Sequence, residues 1–396
     1  MRFLDCIDVN PKISLEKGKI APFIEMGNVS TIYRNPVAVE SKPFDSGVKF
    51  QDGDTVIARI TPCLQNGKRF YCKNIGTGFG STEFLVFRPK NESVDNLYLY
   101  YFMKTEFIRQ SMINSMVGAT GRQRVNNDVF KNIEVNFPNK EKQREIGRIL
   151  SAYDGLIENN QKQIKLLEEA AQRLYKEWFV DLRFPGYENT PIIDGVPEGW
   201  EEKPLSEVFK YVRGKSYTSK DIVDNGSTFM INLKNIRPFG GYKRNAEKHF
   251  IGEYSKAQQL KYGDIVMGVT DMTKERRLVG HVAMIPDIGK NITFSMDLIK
   301  IIPLIVPNSF LYSSMIFGGY SNKIAALANG VNVLHLKPDA IMNLKMIIPS
   351  KIIMRNYDNM FKLYYNKLEK LQNQSILLAE ARDRLLPKLM SGKLEV

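Results

Sequence analysis

The sequence predicts an α+β chain built twice: two similar α/β-mixed domains separated by two long helices, related by a pseudo-two-fold duplication. Three observations predict it. Short segments recur in the same order at a nearly constant spacing. A long heptad seam follows each copy. Each copy also mixes strand-type and helix-type runs.

The recurrence comes first. Phe23–Val29 resembles Met230–Ile236 at an offset of 207, and Gly53–Ile57 resembles Gly263–Met267 at 210. Asp128–Ile133 resembles Asp339–Leu344 at 211, and each of these segments leads to a proline, Pro138 and Pro349, at the same offset. Chance resemblance would not keep order and distance together. A period near 200 residues is a domain duplication and not a solenoid.

The seam comes second. Ile146, Leu150, Tyr153, Ile157, Asn160, Ile164, Leu167, Ala171, Leu174 and Trp178 step alternately by four and three, as a and d positions do. Adding 211 gives Tyr357, Phe361, Tyr364, Leu368, Leu371, Ser375, Leu378, Arg382, Leu385 and Leu389, of which only Ser375 and Arg382 are not apolar. Asn160 is the one polar member of the first seam, and such a residue sets register at a cost in stability. Residues 141–179 would form a rod of roughly 58 Å at 1.5 Å per residue. Two such helices in one chain can pair with each other, but the seam alone leaves the direction open.

The third observation is the mixture. Thr55–Ile60, Glu83–Phe87, Ile265–Val269 and Leu298–Ile302 read as strands, and Asn96–Ser115 and Ser309–Ala328 as helices packed on them. The expected organisation is a first domain over 1–140, a helix over 141–182, a Pro/Gly-punctuated linker over 183–199, a second domain over 200–350, and a second helix with tail over 351–396.

Composition narrows the function. Apolar residues are 43% and charged residues 25%, ordinary for a folded chain, but 56 Lys and Arg against 43 Asp and Glu give a net charge of +13. The isoelectric point near 9.4 favours a polyanionic partner. Cys6, Cys63 and Cys72 are odd in number and form no CxxC pair, so neither a disulfide framework nor a zinc cluster is expected, and a cytoplasmic location fits. The first residues, Met1–Cys6, lack a signal-peptide stretch, and no run of about 18 apolar residues predicts a membrane span.

Polar, basic loops follow each Gly-Asp strand. Arg59, Lys68 and Arg69 lie there in the first copy, and Lys274, Arg276 and Arg277 in the second. Arg122, Gln123 and Arg124 precede the helix expected at Asn127, and His335-Leu336-Lys337 sits at the matching place; Arg213 and Lys215 add two cations near the start of the second copy. Arginine can bond guanine bidentately, glutamine can do the same to adenine, and lysine favours phosphate. These residues are the expected DNA contacts, with a solvated surface loop as the alternative for each.

Signatures of catalysis are missing. Gly214-Lys215-Ser216 has Phe209 where a phosphate loop needs glycine, and Gly76–Gly80 carries no dinucleotide fingerprint. The three histidines form no HExxH, and no GxSxG or kinase signature occurs. Asn35-Pro36 is followed by Val37-Ala38 rather than the proline–aromatic pair of an amino-methyltransferase.

Three further stretches carry a resemblance: Gln172–Asp181 at the end of the first rod, Val196–Trp200 opening the second domain, and the tail Arg384–Leu394. With the duplicated order they resemble the specificity subunit of type I restriction–modification enzymes along the whole chain. The resemblance implies two target-recognition domains, each reading half of an asymmetric bipartite site in double-stranded DNA. It implies that the long helices pair as an antiparallel coiled coil, with Ile157, Asn160, Ile164, Leu167, Leu174, Leu368, Leu371, Leu378 and Leu385 in the seam. Two modification subunits that methylate adenine, and translocase-nuclease restriction subunits, are the implied partners. S-adenosylmethionine, Mg and ATP would belong to those partners, and this chain would bind no cofactor and perform no chemistry. Two alternatives stand beside this reading: a self-sufficient methyltransferase or nuclease with degenerate motifs, and a protein scaffold that reads no sequence.

Overall fold

The computed structural model describes residues 1–396. The chain divides into two units, Met1–Gln163 with Leu371–Val396, and Ile164–Lys370. Two 40-residue helices, Lys140–Phe179 and Lys351–Met390, contribute residues to both. No helix is long and apolar enough to cross a membrane.

The first unit contains two four-stranded sheets. One is antiparallel, in the order Ile7–Val9, Phe84–Pro89, Thr55–Ala58, Arg69–Tyr71; the other runs Glu40–Pro43, Ile20–Ile24, Gly78–Gly80, Val48–Phe50, with its middle pair parallel. The second unit repeats this. One sheet is Phe209–Arg213, Leu298–Pro303, Ile265–Gly268, Val282–Met284. The other is Ile222–Val223, Lys248–Phe250, Thr228–Ile231, Asn291–Phe294, and its last two strands are parallel.

Alternation decides which core each residue enters. On Thr55–Ala58, Ile57 joins Leu85, Phe87, Phe3 and Phe130, whereas Val56 joins Val86, Phe84 and Phe70 on the other face. Both faces are covered, so the strand reads as a short continuous apolar run. Ile265 and Met267 divide from Val266 in the same way in the second unit.

The repeated Gly-Asp pair is a structural device. Gly53 and Gly263 have φ of +91° and +81°, which only glycine adopts without strain. The carboxylate of Asp54 accepts from the Gln51 N–H at 2.8 Å, and Asp264 accepts from that of Lys261 at 2.8 Å. Arg88 then clamps Asp54 with bonds of 2.6 and 2.8 Å, and Lys300 pairs with Asp264 at 2.6 Å. Asn96 and Asn308 each donate to the carbonyl of the turn glycine, at 2.9 and 2.7 Å. Duplication thus survives at the level of single hydrogen bonds.

The helices over 96–115 and 309–328 are each broken in two. The first pair is Asn96–Phe102 and Glu106–Asn114, and the second Asn308–Phe317 and Tyr320–Ala326. Thr105 stands extended at the first break and donates its hydroxyl to the Phe102 carbonyl at 2.7 Å. Gly319, left-handed at φ +75°, makes the second. Residues 183–199 carry the hairpin Ile192–Ile193 with Val196–Pro197, and Phe184 packs on Trp200 with ring centres 5.0 Å apart.

The long helices pair antiparallel. In the first unit, Ile146 and Leu150 pack with Leu386 and Leu389, and Asn160 donates to the Ser375 hydroxyl at 3.3 Å. In the second, the rings of Tyr175, Trp178 and Phe179 gather around Tyr357. Ile157, Asn160 and Leu371 are buried, and Ile164, Leu167, Leu174, Leu368, Leu378 and Leu385 are half-buried.

A charged cluster ties the first repeated domain to its helical segments. Arg382 pairs with Asp154 at 3% and 1% exposure, and the Tyr101 hydroxyl donates to the other Asp154 oxygen at 2.5 Å. Arg34, 2% exposed, bonds Glu158 at 2.7 Å and the Ser151 hydroxyl at 2.7 Å. In the second unit Arg244 bonds Glu369 at 2.6 Å, at offsets of 210 and 211 from Arg34 and Glu158. The domain-to-helix ion pair is therefore duplicated, but Asp154–Arg382 is not, because Tyr365 and Ala171 stand at the corresponding positions.

Lys104 pairs with Asp383 at the edge of this cluster. Burial, with Arg382 nearby, pulls the Lys104 ammonium down to about 8 from 10.5. A depressed lysine costs stability below its folded pKa, and that cost disappears as pH rises toward the unfolded value. Wild type should therefore gain stability relative to Lys104→Met between pH 8 and 10.5, on the order of 2 kcal/mol. Urea unfolding of both proteins at pH 7.5 and 10 checks this, and equal gaps at the two pH values would refute it.

Candidate nucleic-acid interface

In each unit two loops leave the same end of the central sheet and are held together by backbone bonds. The Arg59 N–H donates to the Glu83 carbonyl at 2.8 Å, and the Val125 N–H to the Arg59 carbonyl at 2.9 Å. In the second unit the Val269 N–H donates to Asp297 at 2.9 Å and the Leu336 N–H to Val269 at 2.8 Å. The framework is the same, so loops 59–68 and 118–124 correspond to 270–278 and 329–335.

The first pair of loops brings Arg59, Lys68, Arg122, Gln123 and Arg124 onto one connected segment. Several of these cations are used internally. Arg59 donates to the Val125 carbonyl at 2.9 Å and Lys68 to that of Met26 at 2.7 Å. Arg124 clamps Glu83 with bonds of 2.9 and 2.6 Å, which holds the guanidinium above its usual range. Arg69 faces Tyr100 and Arg382, where burial pulls its guanidinium down. That leaves the exposed Arg122 and the half-buried Gln123 with side chains that make no hydrogen bond or ion pair. Their loop stays in place because the Thr61 N–H donates to the Gln123 carbonyl and the Gln123 N–H donates to the Thr61 hydroxyl, each at 3.0 Å.

The second pair is a two-stranded ribbon, Thr270–Asp271 against Leu334–His335. Asp271 is buried and accepts from the N–H groups of Thr273, Leu278 and Val279, which shapes the loop between them. These bonds hold its carboxylate below the ordinary range against burial, which acts the other way. Lys274 and Lys337 are exposed and unpaired. Arg277 lies 3.6 Å from Glu275, and Arg276 donates to the Ala326 carbonyl at 3.1 Å. Lys215 joins this end of the sheet, because its backbone bonds Phe294 and Met296. Arg213 is exposed and lies against the Tyr211 ring, 6.0 Å from its centre.

The loop tips of the second unit carry a feature absent from the basic-residue reading: Met272, Met296 and Val331 are 82%, 59% and 99% exposed. The available signal was apolar residues interrupting polar loops. No group of three or more His, Cys, Asp or Glu side chains could hold a metal ion. The arrangement offers hydrogen-bond donors, cations and apolar tips on paired loops, which suits recognition of a polyanion with readable edges.

Comparison with known proteins shows what the chain is similar to. The family model described as the type I restriction modification DNA specificity domain matches residues 9–169 and 197–378. The specificity subunit of the type I restriction enzyme MjaIX from Methanocaldococcus jannaschii is 28% identical over 327 residues, covering 78% of this chain and 71% of that protein. The HindI specificity subunit from Haemophilus influenzae is 23% identical, covering 90% of each. In fold, the crystal structure of a type I restriction–modification S subunit from M. genitalium aligns with a TM-score of 0.55 at 16% identity, over 98% of this chain and 95% of that one.

Proposed function

This chain belongs to the type I restriction–modification DNA specificity family, which supplies recognition rather than catalysis, and from that membership we propose that its two units read the two different halves of one split DNA site. Residues 1–140 and 200–350 are the two readers in this proposal. The long helices, which contribute residues to both units, set the distance between half-sites. Modification subunits that methylate adenine dock on the helices, and restriction subunits join them. S-adenosylmethionine, Mg and ATP are used by those partners.

The observation that carries the reading is a conserved frame with divergent tips. The Gly-Asp turn, its carboxylate clamp, the asparagine bond to the glycine and the loop-holding backbone bonds recur in both copies. The residues presented on that frame do not recur: Arg122 and Gln123 stand in one unit where Val333 and Leu334 stand in the other. Two equal frames with unlike tips suit two unlike half-sites. The surplus of cations supplies affinity for the phosphate backbone, and the tips supply selection.

Co-expression with the cognate modification subunit in a methylation-free host, followed by genome-wide mapping of modified adenine, tests the proposal. Methylation at one split, asymmetric motif is expected. No methylation by an assembled complex that binds the methyl donor would refute it and leave a scaffold as the better description.

A further inference from the structure

We infer that the second unit selects its half-site partly by apolar contact with thymine methyl groups, through Met272, Met296 and Val331; the inference rests on the reading of the chain as a split-site DNA reader. All three sit at the end of the sheet where the loops meet. Met272 follows Asp271, which is paired with Leu334 across the ribbon. Val331 lies on the hairpin closed by reciprocal backbone bonds of Asn329 and His335, 3.0 and 2.8 Å long. Met296 precedes Asp297, whose carboxylate accepts from the Thr270 hydroxyl at 3.0 Å and whose carbonyl accepts from Val269 N–H.

Three exposed apolar tips around one ribbon are not a core, and each of the three residues is more than half exposed. Their surroundings identify the occupant. The Met296 N–H donates to the Lys215 carbonyl, Met272 opens the segment that carries Lys274 and Arg277, and Lys337 follows the hairpin. An apolar patch rimmed by cations suits a polyanion with apolar groups in its groove. In duplex DNA the thymine 5-methyl is the one apolar group displayed on a base edge in the major groove.

The first unit provides the contrast. By the matching backbone bonds, Thr82 precedes Glu83 as Met296 precedes Asp297, and Pro62 and Thr120 hold the places of Met272 and Val331. At these three places the first copy thus presents smaller, partly polar tips, with Arg122 and Gln123 as free donors and Val117, paired with Arg124, as its one exposed apolar residue on the ribbon. The two half-sites would accordingly be selected by different chemistry, hydrogen bonding in one and methyl contact in the other.

The test uses the complex with the modification subunit and duplexes carrying the mapped motif. The half-site of the second unit is the half retained when residues 1–140 are exchanged for another reader. Replacing the thymines of that half by deoxyuracil removes only the methyl groups. Binding should weaken about three- to tenfold, and the M272S/M296S/V331S complex should bind more weakly and no longer distinguish the two duplexes. Selective binding of the motif with equal affinity for thymine and uracil duplexes would overturn this inference alone. Loss of assembly in the variant, together with that indifference, would instead make the patch a protein contact. A wild-type complex that bound no duplex selectively would overturn the split-site reading and this inference together.

Discussion

Arg382→Ala should lower the thermal midpoint of the first unit by about 10 °C. The substitution removes a cation that is 3% exposed and leaves Asp154, 1% exposed, without its directly bonded counter-charge. A buried carboxylate so abandoned costs roughly 3–5 kcal/mol, because its desolvation is no longer offset. For a unit of this size each kilocalorie moves the midpoint by about 2–4 °C. Tyr101 still donates to Asp154 and the Arg34 guanidinium stays nearby, but neither replaces the direct ion pair. The triple variant D154L/R382M/Y101F should recover most of the loss, because an apolar replacement of a whole buried network is often neutral. Thermal melts of the single and triple variants, with those of D154L and Y101F alone, separate the pair energy from packing. A midpoint for Arg382→Ala within a degree or two of wild type would show that the pair is not a determinant of stability.

That pair also shows which parts of the structure the sequence made legible. The heptad seam was readable because apolar residues at steps of four and three have one plain meaning. Within it, Asn160 was visible as the interruption of the first seam, and Ser375 and Arg382 as those of the second. Their partners were not readable, because Asn160 and Asp154 lie more than 200 residues away and meet them only once the helices run antiparallel. Two copies of a domain were legible from spacing. The breaks at Thr105 and Gly319 were missed, because the apolar pattern continues through both while the backbone turns. Gly318-Gly319 was an available signal for the second break, and Thr105 a weaker one for the first.

The basic loops show a different limit. Composition marks a lysine or arginine as a cation but does not say what it faces. Arg59 and Lys68 tie loops by bonding backbone carbonyls, Arg124 is matched by Glu83, and Arg122, two residues earlier, is free. Periodicity cannot separate them, because a cation serving the frame and a cation serving a ligand occupy the same kind of loop. The separation comes from the acceptors that folding brings near each one.

Exchanging residues 1–140 for the first reader of a relative with a different target should change one half of the methylated motif and leave the other half and the spacing intact. The effect on that half-site is all-or-none, since every mismatched base pair costs about 1–3 kcal/mol and several would change together. Mapping of modified adenine in a host carrying the chimera measures it, and alteration of both halves would refute independent readers. The structure adds a condition on which exchanges succeed. The first reader contacts its helical segments through Arg34 on Glu158, Tyr101 on Asp154 and Lys104 on Asp383, and Arg382 also donates to the Ile32 carbonyl. An incoming reader with an apolar residue in place of Arg34 would leave Glu158 facing it without a counter-charge in a partly buried position. Such a chimera should assemble poorly until Glu158 is replaced as well, for example by leucine. A reader that brings arginine and tyrosine at those two places should assemble directly. Reader and helix are thus matched through a few buried polar atoms, and compatibility between readers and helices is decided there rather than at the loops proposed to select the DNA.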